Sequence, residues 1–315
     1  MESSAFQDVV SVFTIDATNT RDTISKLATD TFSVMAFQQQ ALTRLQQGCI
    51  SARGDWCWSI NTNTSHTRTK DIVPGFNLGY GLTEIFSLGG VIEHAFSRSF
   101  PDSHEINGNN FSLGFYADWH FPFSFGKSYL RPAVSFSQYD LDIERSVLSH
   151  TEGGKGNSKL NGLGASIEGG QNFIFSNRVS LDWHAGLRYS HLSRNTYQEK
   201  NAVSFPVEYG EINYDNATGY MGADVRVSVL PSLMWMSGIE IAHTLKDNDL
   251  IYNAQADAIG AFSTKADLTE TRNMLKTGVT YTLRKNLSLS VLTSLNQTNE
   301  GNKNWNTTFS LNGQF

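Results

Sequence analysis

Two cysteines and eight histidines carry the most obvious chemistry in this 315-residue chain. Cys49 and Cys57 are eight residues apart, so the two thiols can meet across a turn. In an oxidising compartment such a pair forms a disulfide, and two free buried thiols are the alternative. The histidines are scattered, and the chain has no G-x-S-x-G, H-E-x-x-H, P-loop or G-x-G-x-x-G motif. We therefore expect no metal and no cofactor.

Composition excludes two classes of function. The net charge of −6 and the absence of Lys/Arg clusters leave little to neutralise a phosphate backbone, so we expect no nucleic acid partner. No run of about 20 apolar residues is present, which excludes a helical membrane protein. Only 17% of residues are charged, which is low for a soluble chain. The composition indicates a surface that mostly does not face water.

Apolar and polar residues alternate over most of the chain, and the last eleven residues show the pattern well. Trp305, Phe309 and Leu311 lie on one face of an extended chain, whereas Asn306 and Ser310 lie on the other. Such alternation is typical of a β-strand between two different environments. Similar runs recur back to residue 55, and they predict about twelve strands.

The predicted strands are long, and two kinds of connection join them. Many strands have the length of about 9–11 residues that crosses a bilayer, and aromatic residues gather at their ends, as in membrane barrels. Tight turns near 83–84, 122–127, 176–177, 231–232 and 284–286 alternate with long polar loops near 98–109, 146–160, 192–208 and 246–265. A soluble β-sandwich is the alternative. We predict that residues 55–315 form an all-β transmembrane barrel of about twelve antiparallel strands.

The N-terminal part of the chain lacks the strand pattern. Residues 19–47 contain no Pro and no Gly, which predicts one α-helix over 19–48. Asn19 or Thr20 can cap its start, and Gly48 stands where a left-handed residue commonly ends a helix. A helix of this length reaches roughly 43 Å, enough to run through the lumen of a barrel. A helix packed outside the barrel is the alternative.

Charged residues on the inward phase of the strands predict a polar lumen. Charge is tolerable there only because that side of the wall is wet or paired. We expect several of these groups to meet one another or helix residues and so to hold the helix. The wall residues are Glu93, Asp118, Glu168, Asp182, Arg188, Asp224, Arg226, Glu240 and Lys276, and the helix residues are Arg21, Lys26, Asp30 and Arg44.

The order of these elements resembles the translocator domain of classical autotransporters, type V secretion. One long helix comes first, about twelve amphipathic strands follow, and the chain ends on phenylalanine. The resemblance implies a barrel that exports and anchors its own N-terminal passenger domain, with residues 1–18 as a linker stub. It also implies that the barrel-assembly machinery reads Phe309, Leu311 and Phe315, although Gly313 stands where many members carry another aromatic. Members that cut their own linker have an Asn-Asn pair in the helix, which this helix lacks.

The resemblance further implies a place in the bacterial outer membrane. We expect a monomer in outer-membrane lipid, with its C-terminus in the periplasm and its long loops and passenger outside the cell. No secretory signal follows Met1, so we expect the signal and the passenger to lie upstream. Because the periplasm is oxidising, we predict a Cys49–Cys57 disulfide that fixes the end of the helix to the first strand.

Two other functions remain open at this point. A polar lumen is also typical of an open porin-like channel, although a long helix inside twelve strands leaves little open cross-section. Some outer-membrane barrels are lipases or proteases, and the nearest candidate groups here are His94 with Asp102 and His104, and His243 with Asp247 and Asp249. Asp and His are ordinary on a solvated rim, so we expect no enzymatic activity.

Overall fold

A computed structural model describes residues 15–66, 70–95, 97–200, 203–257 and 259–315. These ranges contain the helix α1 (Ala17–Arg44) and seventeen strands. The strands are β1 (Trp56–His66), β2 (Lys70–Thr83), β3 (Phe86–His94), β4 (Ser97–Ser99), β5 (His104–Phe123), β6 (Gly126–Glu144), β7 (Lys155–Ser176), β8 (Val179–Arg194), β9 (Tyr197–Gln198), β10 (Glu208–Tyr209), β11 (Ile212–Leu230), β12 (Leu233–Asp247), β13 (Ile251–Ala256), β14 (Gly260–Lys265), β15 (Thr271–Arg284), β16 (Leu287–Gln297) and β17 (Lys303–Gln314). Within the described ranges, no helix has the length and apolar character needed to span a membrane.

Twelve strands form a closed antiparallel barrel, as the alternation predicts. They are β1, β2, β3, β5, β6, β7, β8, β11, β12, β15, β16 and β17, and the short β4 pairs beside β2. The barrel closes because β1 pairs with both β2 and β17. At this seam the Trp56 N–H donates to the Phe315 carbonyl at 2.7 Å, and the Phe315 N–H donates back at 3.0 Å. The first and last residues of the wall therefore meet at one rim.

The two rims of the barrel differ in the length of their connections. Two-residue turns join β2 to β3, β5 to β6, β7 to β8, β11 to β12 and β15 to β16, and we call this end the short-turn rim. The longer connections lie at the opposite end, the long-loop rim. Between the rims, large apolar side chains such as Phe115, Leu187, Met221, Ile239 and Phe309 are more than half exposed on the outer face. This apolar band is the surface that a bilayer would cover.

The helix begins earlier and ends earlier than the sequence predicts. Asp16, and not Asn19 or Thr20, caps it, since its Oδ1 accepts from the N–H groups of Thr18 and Asn19 at 2.9 and 3.0 Å. The last helical residue is Arg44, so the predicted range 19–48 is shifted. The predicted linker stub 1–18 lies mostly outside the described residues.

The long loops carry a second sheet that the sequence analysis did not predict. Strands β9, β10, β13 and β14 pair in the order β14-β13-β10-β9, and we call this sheet with its loops the cap. Its buried tyrosines pack on the first half of α1: the rings of Tyr197 and Tyr209 stack at 4.5 Å, and Phe32 meets Tyr252 edge-on at 6.2 Å. Ile24 and Leu27 of the helix belong to the same apolar core. The first half of α1 is therefore held in place by apolar packing.

A buried ion pair ties the cap to the helix. The Arg145 guanidinium donates to both carboxylate oxygens of Glu199 at 2.7 and 3.0 Å, and both side chains are almost fully buried. Glu199 also accepts from the Tyr209 hydroxyl at 2.7 Å, and Arg145 reaches the Thr23 hydroxyl of α1 at 3.3 Å. Burial by itself lowers the pKa of Arg145. The hydrogen bonds to Glu199 and the negative charge of Glu199 outweigh this effect and raise the pKa of Arg145 above its ordinary value.

The cap should loosen in alkali because of its buried tyrosines. Burial raises the pKa of Tyr197, Tyr209 and Tyr252 above the ordinary value of about 10. The folded cap thus keeps protons that an opened cap would release, so its stability is full below pH about 10 and falls as pH rises further. We expect limited proteolysis of the cap loops to be faster at pH 11 than at pH 8, relative to an unstructured substrate. Equal relative rates would contradict this expectation.

Candidate functional site in the barrel lumen

The second half of α1 lies inside the barrel and leans on β5, β6 and β7. Three glycines on this part of the wall let the helix approach closely, since a Cβ atom on Gly114 would lie 2.0 Å from the Leu45 carbonyl oxygen. A Cβ on Gly162 or Gly164 would lie within about 3 Å of glutamine side chains of the helix segment. On the same side the buried Gln38 amide donates to two wall carbonyls at 3.3 Å. The helix therefore sits off the barrel axis.

Gln39 connects the helix to the part of the wall beyond β7. Its Nε2 donates to the Ser190 hydroxyl at 2.8 Å and to Asn216 Oδ1 at 3.2 Å, and its Oε1 accepts from Asn299. Asn299 in turn accepts from Arg272 of β15. This network spans β8, β11, β15 and the β16–β17 connection. The sequence does not predict this network, because amide side chains in a helix give no sign of their partners.

Among the residues that the structure describes, one of the four helix residues predicted to pair with wall charges does so. Arg44 lies 3.2 Å from the Glu93 carboxylate. Asp30 is buried but accepts from the Ser103 hydroxyl at 2.8 Å, and the exposed Arg21 donates to the Ile259 carbonyl at 2.9 Å. Lys26 is exposed. Asp30 and Arg21 lie at the long-loop rim, where loops replace the charged wall.

The predicted wall charges face inward and mostly pair with one another, either between neighbouring strands or across one intervening strand. Arg188 donates to both oxygens of Glu240 at 2.6 and 3.3 Å. Lys276 lies 2.9 Å from Asp224, and Arg226 lies 3.8 Å from Asp182. These pairs connect strands of the wall to one another.

Arg131 pairs with Asp118 and Glu168, the two predicted wall carboxylates not yet accounted for. Arg131 itself was not among the predicted lumen residues. It lies 2.6 Å from Asp118 and 3.4 Å from Glu168. The alternation along β6 could have predicted an inward-facing Arg131, since it shares the inward phase with Tyr129 and Ala133.

Three of the wall residues come close enough to share a cation. Ligand atoms of Asp182, His184 and Asp224 all lie within 4.8 Å of one another. Arg226 and Lys276 already lie beside the two carboxylates, and Glu240 lies 3.5 Å from His184. Because these cations balance the carboxylates, the cluster is explained as an ion-pair network.

The predicted disulfide between Cys49 and Cys57 is present, with the Cα atoms 6.0 Å apart. It links the segment after α1 to the second residue of β1 at the short-turn rim. Tyr116 of β5 clamps the same segment, since its hydroxyl accepts from the Cys49 N–H at 3.0 Å and donates to Asn77 at 2.9 Å. The C-terminal end of the helix is thus fixed to the wall covalently and by hydrogen bonds.

Gly48 has a different role from the predicted one. Gly48 is not among the described glycines with a positive φ, so it does not end the helix in a left-handed conformation. Instead a Cβ atom here would lie 1.9 Å from the Tyr116 ring. Only glycine lets the chain cross the face of this ring.

Replacing both cysteines by serine should weaken the anchor and leave the barrel folded. A loop of this size contributes about 2–3 kcal/mol through the entropy of the opened state. We expect the amides of residues 45–50 to exchange hydrogen roughly 30- to 150-fold faster in the C49S/C57S variant, with barrel strands unchanged. Unchanged exchange in this segment would show that Tyr116 alone holds it.

A polar cavity of about 450 Å³ separates the helix from the wall on the side away from the three glycines. Its lining extends from Asn299 at the long-loop rim to Ser59, three residues after the start of β1. Amide and hydroxyl side chains predominate, among them Gln40 of the helix and Asn306 of β17. The lumen is therefore not completely filled by the helix.

Two of the histidines considered for catalysis, His104 and His243, contact hydroxyl groups. His104 is buried and lies 3.1 Å from the Thr31 hydroxyl of the helix and 2.9 Å from that of Ser103. His243 lies 2.9 Å from the Thr271 hydroxyl, and Asp249 pairs with Lys265. These contacts are structural ones at the long-loop rim.

Comparisons with known proteins agree with this architecture. The protein-family model described as "Autotransporter beta-domain" matches residues 51–292 of this chain. The translocator domain of the autotransporter NalP from Neisseria meningitidis has a TM-score of 0.64 and 13% identity, covering 95% of this chain and 99% of that one. The transport unit of AIDA-I from Escherichia coli gives 0.54 and 15%, covering 83% and 90%, and the beta domain of Bordetella BrkA gives 0.53 and 16%, covering 84% and 99%. Among the curated proteins, none matches.

Proposed function

Since this chain belongs to the autotransporter family and is an outer-membrane translocator domain, we propose that it exports and anchors a passenger domain joined ahead of residue 1. The observation that carries the proposal is the path of the N-terminal segment. It enters the barrel at the long-loop rim as α1, descends through the lumen and is fixed at the short-turn rim by Cys49–Cys57. A chain held this way presents its N-terminal side at the long-loop rim.

The proposal includes an orientation in the outer membrane. Short turns face the periplasm in barrels of this kind, and long loops face the exterior. The C-terminal residue Phe315 would then lie on the periplasmic side, and the cap would lie outside. The exposed Phe309 and Phe315, with the half-buried Leu311 between them, would serve the barrel-assembly machinery as a recognition signal. We further propose that the barrel acts as a monomer and without catalysis.

Surface display of a reporter tests the function. A secretory signal and a folded epitope-tagged reporter are placed ahead of residue 1, and the fusion is produced in a Gram-negative bacterium. We expect added protease to remove the tag from intact cells. The same signal and reporter without residues 15–315 should stay in the periplasm, protected until the outer membrane is permeabilised. Protection of the tag in the full fusion would overturn the proposal.

A further inference from the structure

The cavity beside α1 has an excess of positive charge. Four cationic side chains, those of Arg44, Arg188, Arg272 and Lys276, line it, together with the carboxylates of Glu93 and Glu240. Arg44 and Arg188 pair with these two carboxylates, and Lys276 lies beside Asp224. Arg272 is left as the charge to be explained.

Arg272 binds neutral acceptors only. Its Nη2 donates to the Thr218 hydroxyl at 3.1 Å, and its Nη1 donates to the side-chain oxygen of Asn299. Within the described ranges, no carboxylate lies at ion-pair distance from its guanidinium. The side chain is partly buried and lies at the end of the cavity nearest the long-loop rim. A cation with no carboxylate at ion-pair distance in such surroundings attracts small anions and repels cations.

We propose that the cavity is a water-filled path along the helix and that Arg272 makes it selective for small inorganic anions such as chloride. The amide and hydroxyl lining supplies the polar partners that water needs, and the lining follows the helix through most of the depth of the barrel. The path carries ions while the helix stays in place. The inference depends on the lumen geometry and not on passenger export.

Reversal potentials in planar lipid bilayers test the proposal with the full 315-residue chain. Under a KCl gradient the unmodified protein should carry a small steady current with a reversal potential of the sign that chloride preference gives. In the R272Q variant this preference should be lost. The N299D variant keeps the arginine and the side-chain size but places a carboxylate beside the guanidinium, so it should lose the preference as well.

Asn286→Asp is the matched control for N299D. Asn286 is exposed in the turn between β15 and β16 at the opposite rim, and its substitution changes the net charge equally. We expect this variant to keep the chloride preference. Folding of every variant is checked by its shift in gel mobility on heating. An unmodified protein without current or without chloride preference, or a preference retained in folded R272Q or N299D, would overturn the proposal.

Discussion

Replacing Glu199 by glutamine should open the cap far more often than in the unmodified protein. The substitution keeps hydrogen-bonding atoms near Tyr209 but leaves the guanidinium of Arg145 buried without its counter-charge. Removing one partner of a buried ion pair costs about 3–5 kcal/mol. Because the pair links the residue after β9 to the loop before β7 and to Thr23, we expect amides of the cap to exchange hydrogen at least roughly 100-fold faster.

Asp249→Asn is the matched control within the same cap. Asp249 pairs with Lys265 at 2.7 Å, but both side chains are more than half exposed. Exposed pairs contribute about 0–1 kcal/mol, so exchange in the cap should change by no more than about fivefold. Equal effects of E199Q and D249N would contradict the role given to the buried pair.

Replacing Gly114 by alanine should push the end of α1 away from the wall. The new methyl carbon would lie 2.0 Å from the Leu45 carbonyl oxygen, and the disulfide at Cys49 limits how far the segment can move. Overpacking of this kind costs about 1–3 kcal/mol or more. We expect the amides of the last helical turn, residues 41–44, to exchange roughly 5- to 150-fold faster.

Gly169→Ala gives the corresponding control on β7, two strands away in the wall. Gly169 lies on the outward phase of β7, and a Cβ atom there would meet nothing closer than 3.7 Å. Helix exchange in this variant should match that of the unmodified protein. If G114A also left the helix amides unchanged, the helix would not be seated against β5 as described.

The strands and the lumen charges were predictable because each wall residue faces one of two very different environments. That contrast repeats with period two along a strand. The sequence therefore shows directly that Trp305 faces outward and Asn306 faces the lumen. The partners of the charges were less predictable, since pairing such as Arg131 with Asp118 depends on the register between strands. The disulfide was predictable because the chain offers two cysteines and one pairing.

The ends of the helix and the cap were not predictable for physical reasons. Asp16, Asn19 and Thr20 are all good capping residues, and only tertiary contacts choose among them. Gly48 is equally suited to a left-handed turn and to passage over a ring. The cap strands have two to six residues, too few to show a period, and they pair between loops distant in the sequence.

Single-channel conductance of the barrel with and without its helix tests most directly whether α1 occupies the lumen. The full chain and a chain that lacks residues 1–44 are refolded, checked for the gel shift on heating and inserted into planar bilayers. Both keep Cys49–Cys57 and all twelve wall strands. With the helix inside the lumen, the full chain should conduct weakly and the shortened chain several-fold more. Equal conductance of the two folded proteins would contradict a helix inside the barrel.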